Sequence, residues 1–195
     1  MQDFICWVNE NLSTLLAFGA FVFGIVQYMR AQKWKKAEFA AKEIEKFQND
    51  PDIKFARLLL DSDGRSLRVP ESLKNEDDTE EFLIHTWEKM EKALDAGWWP
   101  DDREGYSTED MLYRDAFDRL FSFFCTIYYH LDRNLIVLED VGILEYWLER
   151  INSPKHYGHK PIFNEFITTY FECVFGLMQK FGIDPKEVKT KDDRE

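Results

Sequence analysis

The sequence predicts an all-α protein, in which one N-terminal transmembrane helix continues into a cytoplasmic helical bundle. The stretch from Asn11 to Met29 contains no charged residue, and its length of roughly 19 residues is sufficient to cross a bilayer core. Beyond it, apolar residues recur at spacings of three and four, which is typical of helices. Phe, Tyr and Trp make up 16% of the chain, and this composition favours a packed interior over disorder.

Charge and turn-forming residues divide the chain into five segments. We expect 1–10 to be a short external or interfacial segment, 11–29 to be the transmembrane helix, and 30–49 to be a juxtamembrane helix. The cytoplasmic helical domain then covers 50–188, and 189–195 forms a charged tail.

The flanks of the apolar stretch predict its orientation. Four basic residues follow it directly: Arg30, Lys33, Lys35 and Lys36. This excess places the domain in the cytoplasm and Met1 outside, and the four side chains should contact anionic lipids. A cleaved signal peptide would have basic residues first, whereas Asp3 and Glu10 precede this stretch. A buried core helix is the other alternative.

A stripe of small residues runs along one face of the predicted span. Its members are Ala17, Ala20, Gly24, Gln27 and Ala31. Small residues allow two helix backbones to approach, and an amide can form a hydrogen bond across the contact. The stripe continues beyond the membrane through Trp34, Ala37, Ala41 and Ile44. One helix from about Asn11 to Gln48 could therefore present a continuous seam for self-association; alternatively, its cytosolic half packs on its own domain.

Three elements are predicted between residues 50 and 96. Asp50 caps a short helix that begins with Pro51. The irregular stretch 61–78 should be a loop with an extended piece near 66–69, and its Asp61-to-Gly64 start is a turn rather than a calcium loop. A helix from Asp78 to Ala96 is expected next, with an apolar face formed by Leu83, Trp87, Met90 and Leu94.

The remaining elements are three helices. Ser107 caps a long central helix that ends near Arg133, where Asn134 adopts a left-handed turn. An amphipathic helix follows, with Val141, Leu144, Leu148 and Ile151 inward. The last helix starts at Pro161 and stops at Gly182, with an apolar face formed by Phe163, Phe166, Tyr170, Val174, Leu177 and Phe181.

No sequence pattern in the chain specifies catalysis, a cofactor or a metal site. His156 and His159 lack further ligands nearby, no histidine follows Glu or Asp by three positions, and no phosphate-binding glycine loop is present. We expect His85 and His130 to be surface or capped histidines. Cys125 and Cys173 should be small buried core residues, in a reducing compartment. The net charge of −12 argues against a nucleic-acid partner.

Adjacent tryptophans, Trp98 and Trp99, stand in a predicted loop. Two neighbouring side chains cannot easily enter one core, so one could contact a partner or the membrane surface. The alternative is that the loop simply closes the core.

Three segments carry a resemblance to a loose group of bacterial proteins. They are the span leading into Gln32-Lys33-Trp34 and Asp50-Pro51, the segment from Phe117 to Phe124, and the segment from Tyr146 to Ile151. The group has one N-terminal span and a small cytoplasmic helical domain of unknown function, and some members are putative phage abortive-infection proteins. The resemblance implies a bacterial inner membrane location and supplies no catalytic residues.

The sequence as a whole favours a non-enzymatic, membrane-anchored protein that acts by self-association or by binding a cytosolic protein, with the lipid bilayer as its other partner. An anti-phage effector is the concrete form of this hypothesis. Two alternatives stay open: a scaffold subunit of a membrane complex, and a ligand-sensing or enzymatic domain whose site is assembled from scattered polar residues.

Overall fold

The computed structural model describes residues 2–74, 81–96, 106–152 and 162–185, and these are mostly helical, as the sequence predicts. The helices are α1 (Gln2–Asn49), α2 (Pro51–Asp61), α3 (Trp87–Leu94), α4 (Thr108–Asp132), α5 (Leu144–Asn152), α6 (Ile162–Tyr170) and α7 (Cys173–Lys180). The predictions for Trp98, Trp99, His156, His159, Pro161 and the tail fall outside the described residues.

The break between α1 and α2 lies at Asp50 and Pro51, where the sequence predicts it. The Asp50 carboxylate accepts hydrogen bonds from the backbone N–H groups of Asp52 at 3.0 Å and Ile53 at 3.1 Å. Pro51 occupies the first helical turn, where its missing N–H costs nothing. The α1 helix itself extends further toward the N-terminus than Asn11.

The predicted helix from Asp78 to Ala96 is wrong in its first part. Phe82–Ile84 forms a strand, β2, which pairs antiparallel with β1 (Ser66–Arg68), and Leu67 is opposite Leu83. Only the central residue of each strand is buried, as expected for alternating side chains. The helix begins at Trp87, after the Thr86 hydroxyl caps its first turn. Three consecutive apolar residues, Phe82 to Ile84, fit this pairing better than a helical face.

The central helix is α4, which packs against α2, α3 and α7. It begins with a capping box, because Ser107 and Asp110 each accept a hydrogen bond from the other's backbone N–H. The apolar face of α4 is buried and is formed by Tyr113, Phe117, Leu120, Phe124, Ile127 and Leu131. After α4, Asn134 has φ of 55°, so the left-handed turn is confirmed.

The predicted last helix is two helices. It breaks at Phe171 and Glu172 between α6 and α7, and Tyr170 is 44% exposed rather than inward. Gly182, with φ of 72°, follows α7 and confirms the predicted stop. Before α6, Val141 belongs to a 3₁₀ turn, and Leu144, Leu148 and Ile151 are buried along α5. Phe166, Ile167, Val174 and Leu177 complete this side of the core.

Candidate functional site

The first half of α1 lies outside the core of the domain. Every described side chain from 12 to 30 is exposed, including Phe18, Phe21 and Phe23. The helix is long and apolar enough to cross a membrane, and none of its apolar window is buried. A core helix of a soluble domain would be mostly buried, so exposure over this length does not fit that alternative.

The predicted stripe lies on the exposed surface of α1. Ala17, Ala20, Gly24, Gln27 and Ala31 are all exposed. Trp34 is 78% exposed, Ala37 and Ala41 are also exposed, and Ile44 is half-buried against the core. The stripe therefore stays accessible for about seven turns and meets the domain only at Ile44.

A different face of α1 holds the domain. Ala40, Glu43 and Phe47 are buried, and their mean direction lies roughly 120° around the helix from that of the exposed positions Trp34, Ala37 and Ala41. Because the domain occupies this other face, the C-terminal half of the stripe is left uncovered by the described residues. Glu43 accepts a hydrogen bond from Lys46 at 2.6 Å, so its buried carboxylate has a partner of opposite charge.

Phe47 joins α1 to the aromatic core. Its ring lies 5.3 Å from that of Phe123 and 6.4 Å from that of Trp147. The Arg57 guanidinium stacks over both, at 4.6 Å from the Phe47 centroid and 5.3 Å from the Trp147 centroid. Burial lowers the pKa of Arg57, and Asp61 opposes that shift. The contact fixes the direction in which α1 leaves the domain.

The basic residues predicted to contact lipid follow the exposed apolar part of α1. Arg30, Lys33 and Lys35 are exposed, and Lys36 is half-buried. Arg30, Lys33 and Lys36 follow one another at spacings of three along one side of the helix, whereas Lys35 points to the opposite side. Basic side chains on both sides can meet the headgroups around a helix that enters a bilayer.

His85 is a buried residue of the domain, so its prediction as a surface or capped histidine is wrong. It is fully buried at the end of β2, and its Nδ1 lies 3.0 Å from the Tyr113 hydroxyl. Burial lowers the pKa of His85, with Asp63 opposing the shift, and burial also raises the pKa of Tyr113. Both groups are held neutral, which suits a structural pair in the core.

Two carboxyl groups on α4 have raised pKa values. Loss of hydration raises the pKa of Asp118 to about 6, and nearby Asp115 adds to the effect. The pKa of Asp115 is raised by the same cause and by Asp52. Both side chains remain partly accessible to solvent. Within the described residues, no group of three or more His, Cys, Asp or Glu is placed to hold a metal ion.

The prediction that Cys125 and Cys173 are separate core thiols is wrong. A disulfide joins them, linking α4 to α7 with a Cα–Cα distance of 5.2 Å. They are 48 residues apart in sequence, and each is in an apolar helical pattern that gives no sign of the other. Only the packing of α7 along α4 brings them together.

Two open grooves lie on the described surface of the domain. The larger, of about 700 Å³, lies between α4 and α7 and is lined by Tyr128, Thr168, Cys173, Gly176 and Gln179 among others. The second, of about 440 Å³, lies where α1 and α2 meet α4 and includes the Asp50–Arg119 ion pair at 2.9 Å. In the α4–α7 groove the sulfur of Cys173 is joined to that of Cys125, so it is not a free nucleophile in this form.

Comparison with known proteins gives no match. No protein-family model, no curated protein and no solved structure matches this chain. The stripe on α1, its junction with the domain and the α4–α7 groove must therefore be interpreted from their own geometry.

Proposed function

We propose that this protein is a bundle of helices anchored in a membrane by α1, and that it acts by self-association along the stripe on that helix. The observation that supports this proposal is the accessibility of the stripe. Its part within the apolar span is exposed, as are Trp34, Ala37 and Ala41, whereas the domain packs on the face containing Ala40 and Phe47. A second copy could contact this surface without displacing the domain. We place the domain in the cytoplasm because the basic residues follow the span.

The direct test is to enlarge a small residue within the stripe. Beyond its own stretch of helix, nothing lies within 4 Å of a Cβ built at Gly24, so a larger side chain there starts in open space. Gly24→Leu, combined with Ala20→Leu, should therefore spare the monomer and keep two backbones apart. We expect at least a tenfold weaker association, measured by the concentration dependence of particle mass in detergent.

Gly19→Leu is the matched control. Gly19 also has nothing within 4 Å of an added Cβ, but it lies about 140° around the helix from Gly24. It should associate as the unaltered chain does. Equal association of the Gly24 variant and the unaltered chain would reject the stripe as the contact. If both variants weakened association equally, the result would show only that the span tolerates no larger side chain at either position.

The concrete form of the proposal is an effector of phage defence, in which activation clusters the anchors and perturbs the membrane. It rests on the resemblance of the sequence to abortive-infection proteins. Phage should then form fewer plaques on cells that express the chain. Gly24→Leu should abolish this protection, and Gly19→Leu should retain it. Protection that survives the Gly24 variant would separate the activity from clustering.

A further inference from the structure

We propose that Cys125 and Cys173 form a redox-active pair that exchanges with low-molecular-weight disulfides, which reach it through the α4–α7 groove. The proposal rests on the proposed cytoplasmic placement of the domain. In that compartment small thiols keep most cysteines reduced, so a disulfide there is more often reversible than permanent.

The two sulfurs differ in access. Cys125 is on the central helix and is 9% exposed. Cys173 is half-buried and lines the groove of about 700 Å³. A small disulfide entering the groove would therefore meet Cys173 first, and Cys125 lies behind it.

The position of Cys173 also favours its reactive form. It is the first residue of α7, where the partial positive charge of the helix N-terminus favours a thiolate over a thiol. Cys125 lies within α4, about two turns before its C-terminal end, where the helix gives no such stabilisation. An accessible initiating cysteine and a buried resolving cysteine are the two parts that disulfide exchange needs.

Oxidation then takes two steps. The Cys173 thiolate attacks one sulfur of the small disulfide, breaks its S–S bond and releases one small thiolate. Cys125, after losing its proton, attacks the Cys173 sulfur of the mixed disulfide and releases the second small thiolate. Two electrons pass from the cysteine pair to the small disulfide, and the two small thiolates take up the two protons that the pair loses. Reduction follows the same steps in reverse.

Both redox forms can keep the same fold. The Cα–Cα distance of 5.2 Å lies within the usual range for a disulfide, so the bond forms without backbone movement. One turn further along, Gly176 packs so closely on Tyr128 that an added Cβ would lie 2.6 Å from the ring. Lys180 then reaches Asp132 at 3.4 Å. These contacts hold α7 against α4 when the sulfurs are reduced.

The test uses the full-length chain in detergent and glutathione disulfide as the probe. The third cysteine of the chain, Cys6, is replaced by Ser in every variant so that it cannot react. The reduced chain that carries only this replacement should form its internal disulfide and retain no glutathione. Cys125→Ser should trap one glutathione on Cys173, seen by intact mass. Cys173→Ser should react at least tenfold more slowly. Equal or faster reaction of Cys125, or a lasting adduct on the unaltered pair, would overturn the proposal.

A second measurement needs no cysteine substitution in the pair. Alkylation of thiols in growing cells should find Cys125 and Cys173 reduced, and a thiol oxidant should convert them to the disulfide within minutes. A pair that is oxidised throughout growth, or never oxidised, would contradict reversible exchange. Protease added to spheroplasts tests the placement of the domain independently. Digestion of the domain from outside would reject the cytoplasmic topology, whatever the glutathione experiment shows.

Discussion

Burial of His85 beside Tyr113 gives the domain a pH-dependent stability. The lowered pKa means that folded His85 stays neutral at pH values where the unfolded chain, with a pKa of about 6.5, takes up a proton. Neutral His85 makes its full contribution to the free energy of unfolding above about pH 6.5, and this contribution is lost as pH falls toward the folded pKa. In this window His85 thus lowers the free energy of unfolding by up to about 1.4 kcal/mol for each pH unit of acidification.

The measurement is chemical unfolding of the full chain between pH 8 and pH 5, with His85→Gln compared at each pH. The variant should be less stable at pH 8, because Tyr113 loses its partner. It should also lose less stability than the unaltered chain on acidification. Parallel curves for the two proteins would show that His85 is not the group responsible.

Individual residues were predictable where the determinant is local. Asp50, Ser107, Asn134 and Gly182 each act through their own backbone or the next turn, so sequence rules place them. His85 could not be placed in the same way. Its burial depends on Tyr113, which approaches from another element 28 residues away.

Among the elements, the junction between α1 and the domain depends on Phe47. This side chain is fully buried among Phe123, Phe124 and Trp147, with Arg57 over its ring. Phe47→Ala should cost about 3–5 kcal/mol of unfolding free energy, because it removes aromatic packing and leaves a cavity.

Phe82→Ala is the matched control for this junction. Phe82 is 53% exposed on the outer face of β2, so its removal should cost less than about 1 kcal/mol. Both values follow from unfolding of the full chain in detergent. Equal costs for the two variants would contradict the assignment of Phe47 as the anchor of α1.

The β1–β2 pair and the break between α6 and α7 show why some elements were not predictable. Leu83 fits the apolar face of a helix in sequence, and only its pairing opposite Leu67 selects a strand. At Phe171 and Glu172 no glycine or proline marks the break. The α7 helix is set instead by its packing along α4, which includes the disulfide and the close approach of Gly176 to Tyr128.

At the scale of the whole molecule, α1 presents two different faces. The face with Ala40, Glu43 and Phe47 packs on the domain, while the stripe, along which we propose that two copies associate, is exposed. The sequence predicted the long helix and the stripe, because both depend on composition and helical period. It could not predict which face the domain would occupy, since that depends on residues distant in sequence.

Cross-linking in membranes tests this arrangement most directly. In a background with Cys6, Cys125 and Cys173 all replaced by Ser, Ala37→Cys and Lys35→Cys place single cysteines on exposed positions of α1 that point about 160° apart. Mild oxidation should join two chains through position 37 in high yield and through position 35 at least fivefold less. Dimers through position 35 but not position 37, or none through either, would contradict self-association along the stripe.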